Sequence, residues 1–123
     1  LATITVIIGE PPYGKERVYS TLRFALAALS GGHKVNLFAF EDALYAARRG
    51  QAPAEFPGVL DERMPNCEEL LKAAVRQGAA LKLCGVCAQE RGVQSSELIE
   101  GAQIGGMTDL VKWVLESDKV VSF

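Results

Sequence analysis

The sequence predicts an alternating α/β chain with a parallel sheet and helices on both of its faces. Three observations predict it. Short runs rich in β-branched and other apolar residues alternate with longer segments whose apolar residues recur at helical spacing. Glycine and proline punctuate the junctions between them. The first strand, helix and second strand together span about forty residues, the size of a βαβ unit, whose crossover is right-handed. With 123 residues the chain lies near the commonest domain size, so residues 1–123 read as a single domain.

Ala2 to Ile8 is the first strand, and its second half is apolar on both faces, as in a central parallel strand. A loop follows through Gly14. A helix over about Lys15 to Leu29 buries Val18, Leu22, Ala25, Leu26 and Leu29, and Ser30-Gly31-Gly32 stops it. Lys34 to Phe40 is the second strand. Glu41 to Arg49 reads as a short helix with carboxylates in its first turn. Gly50 to Pro65, with three prolines, reads as a long loop. Asn66 caps the next helix, with Glu69 placed to complete a capping box. That helix carries Leu70, Leu71, Ala74 and Val75 and stops at Gln77-Gly78. Ala79 to Leu83 is a buried strand that opens, through a tight turn at Gly85, into a helix. Ser95 and Ser96 are caps for a short helix ended by the glycine-rich Gly101–Gly106 stretch. The last helix carries Leu110, Val111, Val114 and Leu115, and Val120 to Phe123 is the final strand.

Composition narrows the function. Apolar residues make up 49% of the chain, ample for a core and high for a lone small domain. The apolar Phe56, Val59 and Leu60 of the long loop have no evident place in that core, so an interface is expected there. The net charge of −2 shows no basic surface for nucleic acid or an anionic membrane. No apolar run approaches membrane-spanning length, and no secretory leader is visible. Three cysteines, an odd count, do not suggest a secreted disulfide framework and suit a reducing cytoplasm.

The strongest chemical signal is Cys84-Gly85-Val86-Cys87. Cys84 ends a strand, and Cys87 lies in or just before the first turn of a helix. Unpaired N–H groups there favour an anion, and the thiolate is the form that attacks other sulfur atoms. As a zinc site the pair is incomplete, because neither Cys67 nor His33 has a helpful spacing. As a thioredoxin-like motif it comes too late in the chain, and no proline follows Pro65. A sulfur-handling thiol pair fits both chemistry and position. The competing reading is a pair of small buried hydrophobes. Gly9-Glu10-Pro11-Pro12-Tyr13-Gly14-Lys15-Glu16 has the glycine and lysine spacing of a phosphate-binding loop. Glu16 stands where a hydroxyl should hold magnesium, and the two prolines lack N–H groups to cradle phosphate. The loop instead reads as a rigid segment above the carboxyl edge of the sheet, where Tyr13 can line a site. Cys67 is read as structural, His33 as a surface residue, and Glu41 and Asp42 as helix-start charges.

The run Leu83-Cys84-Gly85-Val86-Cys87-Ala88-Gln89-Glu90-Arg91-Gly92, with Ile104-Gly105-Gly106-Met107 and the ending Val111–Phe123, resembles the DsrE/DsrF-like family over essentially the whole chain. The resemblance implies a flavodoxin-like three-layer sandwich with a mostly parallel five-stranded sheet, a cytoplasmic location and homotrimers or homohexamers. Relay members of the family hold a persulfide on a strand-end cysteine and pass it between proteins. They have Arg-Gly seven and eight residues beyond that cysteine, which matches Cys84 to Arg91 and Gly92. Cys87 has no counterpart in them. The expectation is a sulfur carrier or sulfurtransferase-like protein needing no metal or redox cofactor. Cys84 and Cys87 are its catalytic residues, Cys87 as a resolving thiol, and Tyr13, Gly85 and Arg91 its substrate-binding residues. Its partners are copies of itself and sulfur-donor and sulfur-acceptor proteins. By local position Cys87 is the better placed thiolate; the Arg-Gly spacing favours Cys84. The alternative is a non-enzymatic oligomeric binding module with structural cysteines.

Overall fold

The computed structural model describes residues 1–53 and 66–123 in full, and between them the backbone of 55–56 and 60–63. Five strands form one sheet: β1 (Thr3–Ile8), β2 (Lys34–Ala39), β5 (Ala80–Cys84), β6 (Ala102–Gly105) and β7 (Lys119–Ser122). Their order is β6-β5-β2-β1-β7, and every pairing is parallel. Parallel neighbours need crossovers, supplied by α1 (Arg17–Ser30), α2 (Cys67–Arg76), α3 (Gly85–Glu90) and α4 (Met107–Glu116). A short antiparallel pair, β3 (Glu55–Phe56) and β4 (Leu60–Arg63), stands apart from the sheet.

The topology explains the layers. From β1 the chain steps outward to β2, β5 and β6, then returns to the far side of β1 as β7. Right-handed crossovers in one direction put their helices on one face, and the reversal sends the last helix to the other. Accordingly α1 and α2 pack together, while α4 lies against the opposite face. The layering is flavodoxin-like, but in chain order the strands run 4-3-2-1-5 rather than the flavodoxin 2-1-3-4-5.

Strand alternation decides which side chains meet which layer. Val6, Ile8, Leu37, Ala39, Leu81 and Leu83 share one parity and are buried. Thr5, Phe38 and Lys82 have the other parity and meet α4. The Thr5 hydroxyl bonds Ser117 Oγ at 2.5 Å, Phe38 packs edge-on to Trp113, and Lys82 Nζ sits 5.0 Å from the Trp113 ring centre. Lys82 also reaches Asp109 at 3.2 Å, tying α4 to the middle of the sheet.

Several boundaries differ from the sequence expectation. The segment after β2 is a 3-10 helix, Glu41–Ala47, and the Ser95 helix is a single turn, Ser95–Glu97. The glycine-rich 101–106 stretch contains the edge strand β6, and the long 50–65 loop contains the β3–β4 pair. The side chains of Phe56, Val59 and Leu60, expected at an interface, lie outside the described residues. Asn66 does cap α2: its Oδ1 accepts the Glu69 N–H at 3.1 Å. The Glu69 carboxylate turns instead toward Lys72, 3.7 Å away, so the box is half formed. Asn66→Ala is expected to cost about 1 kcal/mol, read as a lower urea midpoint at unchanged slope.

Candidate functional site

Cys84 is the last residue of β5 and the N-cap of α3, with extended dihedrals of −64° and 119°. Gly85 begins the helix. A Cβ there would stand 3.0 Å from Ile104 Cγ2, so glycine serves the close approach of α3 to β6 rather than a left-handed turn. Cys87 follows three residues after Cys84, on the same helical turn. Both side chains are almost out of solvent, at 5% and 9% exposure, and both are free thiols. The two thiols stand close enough to affect each other's ionisation, as do the backbone N–H of Glu41 and the Arg91 guanidinium for Cys87. Burial pushes the Cys87 thiol up, and adjacent Cys84 adds to this; the Glu41 N–H and the Arg91 charge pull the other way without prevailing. Cys87 is therefore not the favoured thiolate that its place in the helix suggests. With only six residues, α3 offers little dipole against that burial.

Arg91 closes α3 and clamps the site. Its Nε donates to Asp42 Oδ1 at 2.8 Å and its Nη1 donates to the Cys87 carbonyl at 3.2 Å. The Asp42 carboxylate raises the guanidinium pKa further. These bonds fasten the Glu41–Ala47 segment onto the cysteine turn. Glu41, between β2 and that segment, has φ of +52°, the one non-glycine residue with positive φ among those described. For a glutamate this conformation costs on the order of 1–3 kcal/mol. Its N–H is near enough to Cys87 to oppose the rise that burial imposes on that thiol. Sequence reasoning assigned Glu41 and Asp42 only to helix-start electrostatics. A glutamate carries no local signal of left-handed backbone, so this contact was illegible there.

Tyr13 lies elsewhere on the carboxyl side. Its hydroxyl donates to Gln51 Oε1 at 2.5 Å and accepts the Cys67 N–H at 3.2 Å. Gln51 Nε2 gathers the carbonyls of Tyr45, Ala46 and Arg48, and its backbone N–H meets Glu68 Oε1 at 2.9 Å. Glu68 is itself buried and paired with Lys72 at 2.9 Å. Burial alone raises a carboxyl pKa, but for Glu68 Lys72 and the backbone N–H groups of Gln51 and Gly50 outweigh it and hold the group below its usual value. The hydrogen bonds of Tyr13 thus tie it to Gln51 and to the start of α2. Cys67 joins the same network: it is fully buried, its Sγ donates to the Pro12 carbonyl at 3.3 Å, and burial raises its pKa. Sequence reasoning missed Gln51 and Glu68, which no spacing singles out.

On the outer side of the cysteine turn a groove of about 520 Å³ runs between α3 and β6, past Val86, Gln89, Val93 and Ile104. Neither sulfur lines it. Among the described residues no three His, Cys, Asp or Glu side chains group as metal ligands, and no helix is long and apolar enough to cross a membrane.

Comparisons with known proteins agree with this architecture. An uncharacterised protein of Methanocaldococcus jannaschii is 50% identical over 119 residues, 97% of each chain. One from Methanopyrus kandleri is 46% identical over 120 residues, 98% of this chain and 93% of the other. YchN of Escherichia coli is 34% identical over 122 residues, covering 98% and 97%. The crystal structure of E. coli YchN superposes over 100% of both chains with a TM-score of 0.88 and 32% identity. MTH1491 of Methanobacterium thermoautotrophicum, at 15% identity and a TM-score of 0.72, shares the fold. The sequence model of the DsrE/DsrF-like family matches residues 2–123, and this chain belongs to that family.

Proposed function

We propose that the protein is a cytoplasmic sulfur carrier of the sulfurtransferase type, holding sulfane sulfur as a persulfide on Cys84. One observation carries this reading: a free thiol ends a parallel strand at the carboxyl edge of the sheet, beside a second free thiol and an arginine clamp. That edge is where open α/β sheets receive ligands. Loading is a thiolate displacement. The Cys84 sulfur bonds to the outer sulfur of a donor persulfide, the donor S–S bond breaks, and the donor leaves as a thiolate. No electron carrier enters the step. Arg91 offers positive charge next to the turn for the anionic outer sulfur.

Incubation with a cysteine desulfurase and cysteine tests the assignment, read by intact mass as one added sulfur atom. Cys87→Ser is expected to load fully and Cys84→Ser not at all. Full loading of Cys84→Ser would place the sulfur on the wrong thiol. The burial of both sulfurs favours the alternative, a binding module with structural cysteines. Slow labelling of both by a small thiol reagent, with no loading from any donor, would decide for it.

The same proposal makes the working form a homo-oligomer. Met107, Val111 and Leu115 recur every four residues along the outer side of α4 and are 53%, 56% and 80% exposed. Leu110 and Trp113 of the same helix pack on the core. A helix apolar on both sides is characteristic of a buried element.

A further inference from the structure

We propose, resting on the carrier assignment above, that Cys87 discharges the Cys84 persulfide inside the same chain, so that sulfur leaves as hydrosulfide and the pair is left as a disulfide. The Cys87 sulfur would attack the inner sulfur of Cys84–S–SH. A bond forms between the two Sγ atoms and the bond to the outer sulfur breaks. The outer sulfur takes the electron pair and departs as HS⁻, while the Cys87 thiol proton goes to solvent. The sulfane sulfur is reduced to sulfide and the two cysteine sulfurs are oxidised together. A dithiol reductant of the thioredoxin class would return the pair to two thiols.

The geometry supports each part. Cys84 as N-cap and Cys87 three residues on put their Cα atoms about 5 Å apart by helix geometry, inside the span of roughly 4.4–6.8 Å that a disulfide bridges. The two cysteines lie on one turn at the start of α3, so the attacking sulfur needs no large movement. Arg91 holds the turn in place: its Nη1 donates to the Cys87 carbonyl and its Nε to Asp42 of the Glu41–Ala47 segment.

The experiment uses a cysteine desulfurase preloaded with persulfide, freed of cysteine, and mixed with the full chain without reductant. Hydrosulfide, the Cys84 persulfide and the Cys84–Cys87 disulfide are followed together. The wild type is expected to release hydrosulfide and end as the disulfide, at least about tenfold faster than Cys87→Ser, given intramolecular attack. Cys87→Ser and Cys87→Ala, each checked for a native circular dichroism spectrum, should accumulate persulfide instead. The preformed disulfide should accept no sulfur until a dithiol reduces it. A wild type that keeps its persulfide as long as Cys87→Ser, with no disulfide, would overturn the inference and leave the carrier reading standing. Absence of any loading in Cys87→Ser would overturn both.

Discussion

Phe38→Ala is expected to cost about 3–5 kcal/mol of stability. Phe38 is fully buried in β2, the central strand, and is among the largest side chains with no exposure. Its ring faces the α4 layer and meets Trp113 edge-on, with centroids 6.4 Å apart. Among the described residues α4 is the helix that meets this ring, so closing the space that alanine would leave requires α4 itself to move. Trp113 would also lose the ring it packs against while still carrying the Lys82 ammonium on its face. A domain of this kind has about 5–15 kcal/mol in hand, so the variant should unfold roughly 10–20 °C earlier. Phe38→Leu, which keeps most of the volume, should cost less than about 1.5 kcal/mol. Equal losses for the two variants would show that the site collapses freely and that α4 is not held through this ring.

The elements legible in the sequence are those whose signal is local. The Asn66 cap, the apolar stripe of α1 and the strand-turn-helix at Cys84 each depend on a few adjacent residues, and the structure places them within a residue or two. What the sequence hides depends on partners far along the chain. Ala102–Gly105 lies within the glycine-rich 101–106 stretch and is half exposed; it is a strand because β5 offers an edge to pair with. Tyr13 could be assigned to the carboxyl side of the sheet but not to a neighbour there, because Gln51 is thirty-eight residues away. The candidate site divides in the same way. Cys84, Gly85, Cys87 and Arg91 share one short run of chain and were found together. Glu41 and Asp42 complete the site from another segment, through a backbone conformation and an ion pair that depend on how that segment packs on α3.

The outer side of α4 carries the second large expectation. Leu115→Lys combined with Val111→Lys should convert an assembled protein into monomers while leaving the fold intact. Both side chains point away from the core, at 80% and 56% exposure, so neither substitution disturbs packing within the chain. Val120 of the edge strand β7 is also exposed and shares the parity of Thr5, which faces α4, so the apolar surface continues from the helix onto the sheet edge. Lys112, Glu116, Asp118 and Lys119 supply both signs of charge in the same part of the chain, as a surface that meets a copy of itself requires. Burying a Val or Leu side chain contributes about 1.5–3 kcal/mol, so losing two at each contact weakens association by about a hundredfold or more. Sedimentation velocity at micromolar concentration reads the result directly. The wild type should sediment as an oligomer and the double variant as a monomer with an unchanged circular dichroism spectrum. A wild type that sediments as a stable monomer would end the proposal of self-assembly. An oligomer indifferent to both lysines would move the interface to another face, with the Val86–Ile104 surface beside the cysteine turn the next to be substituted.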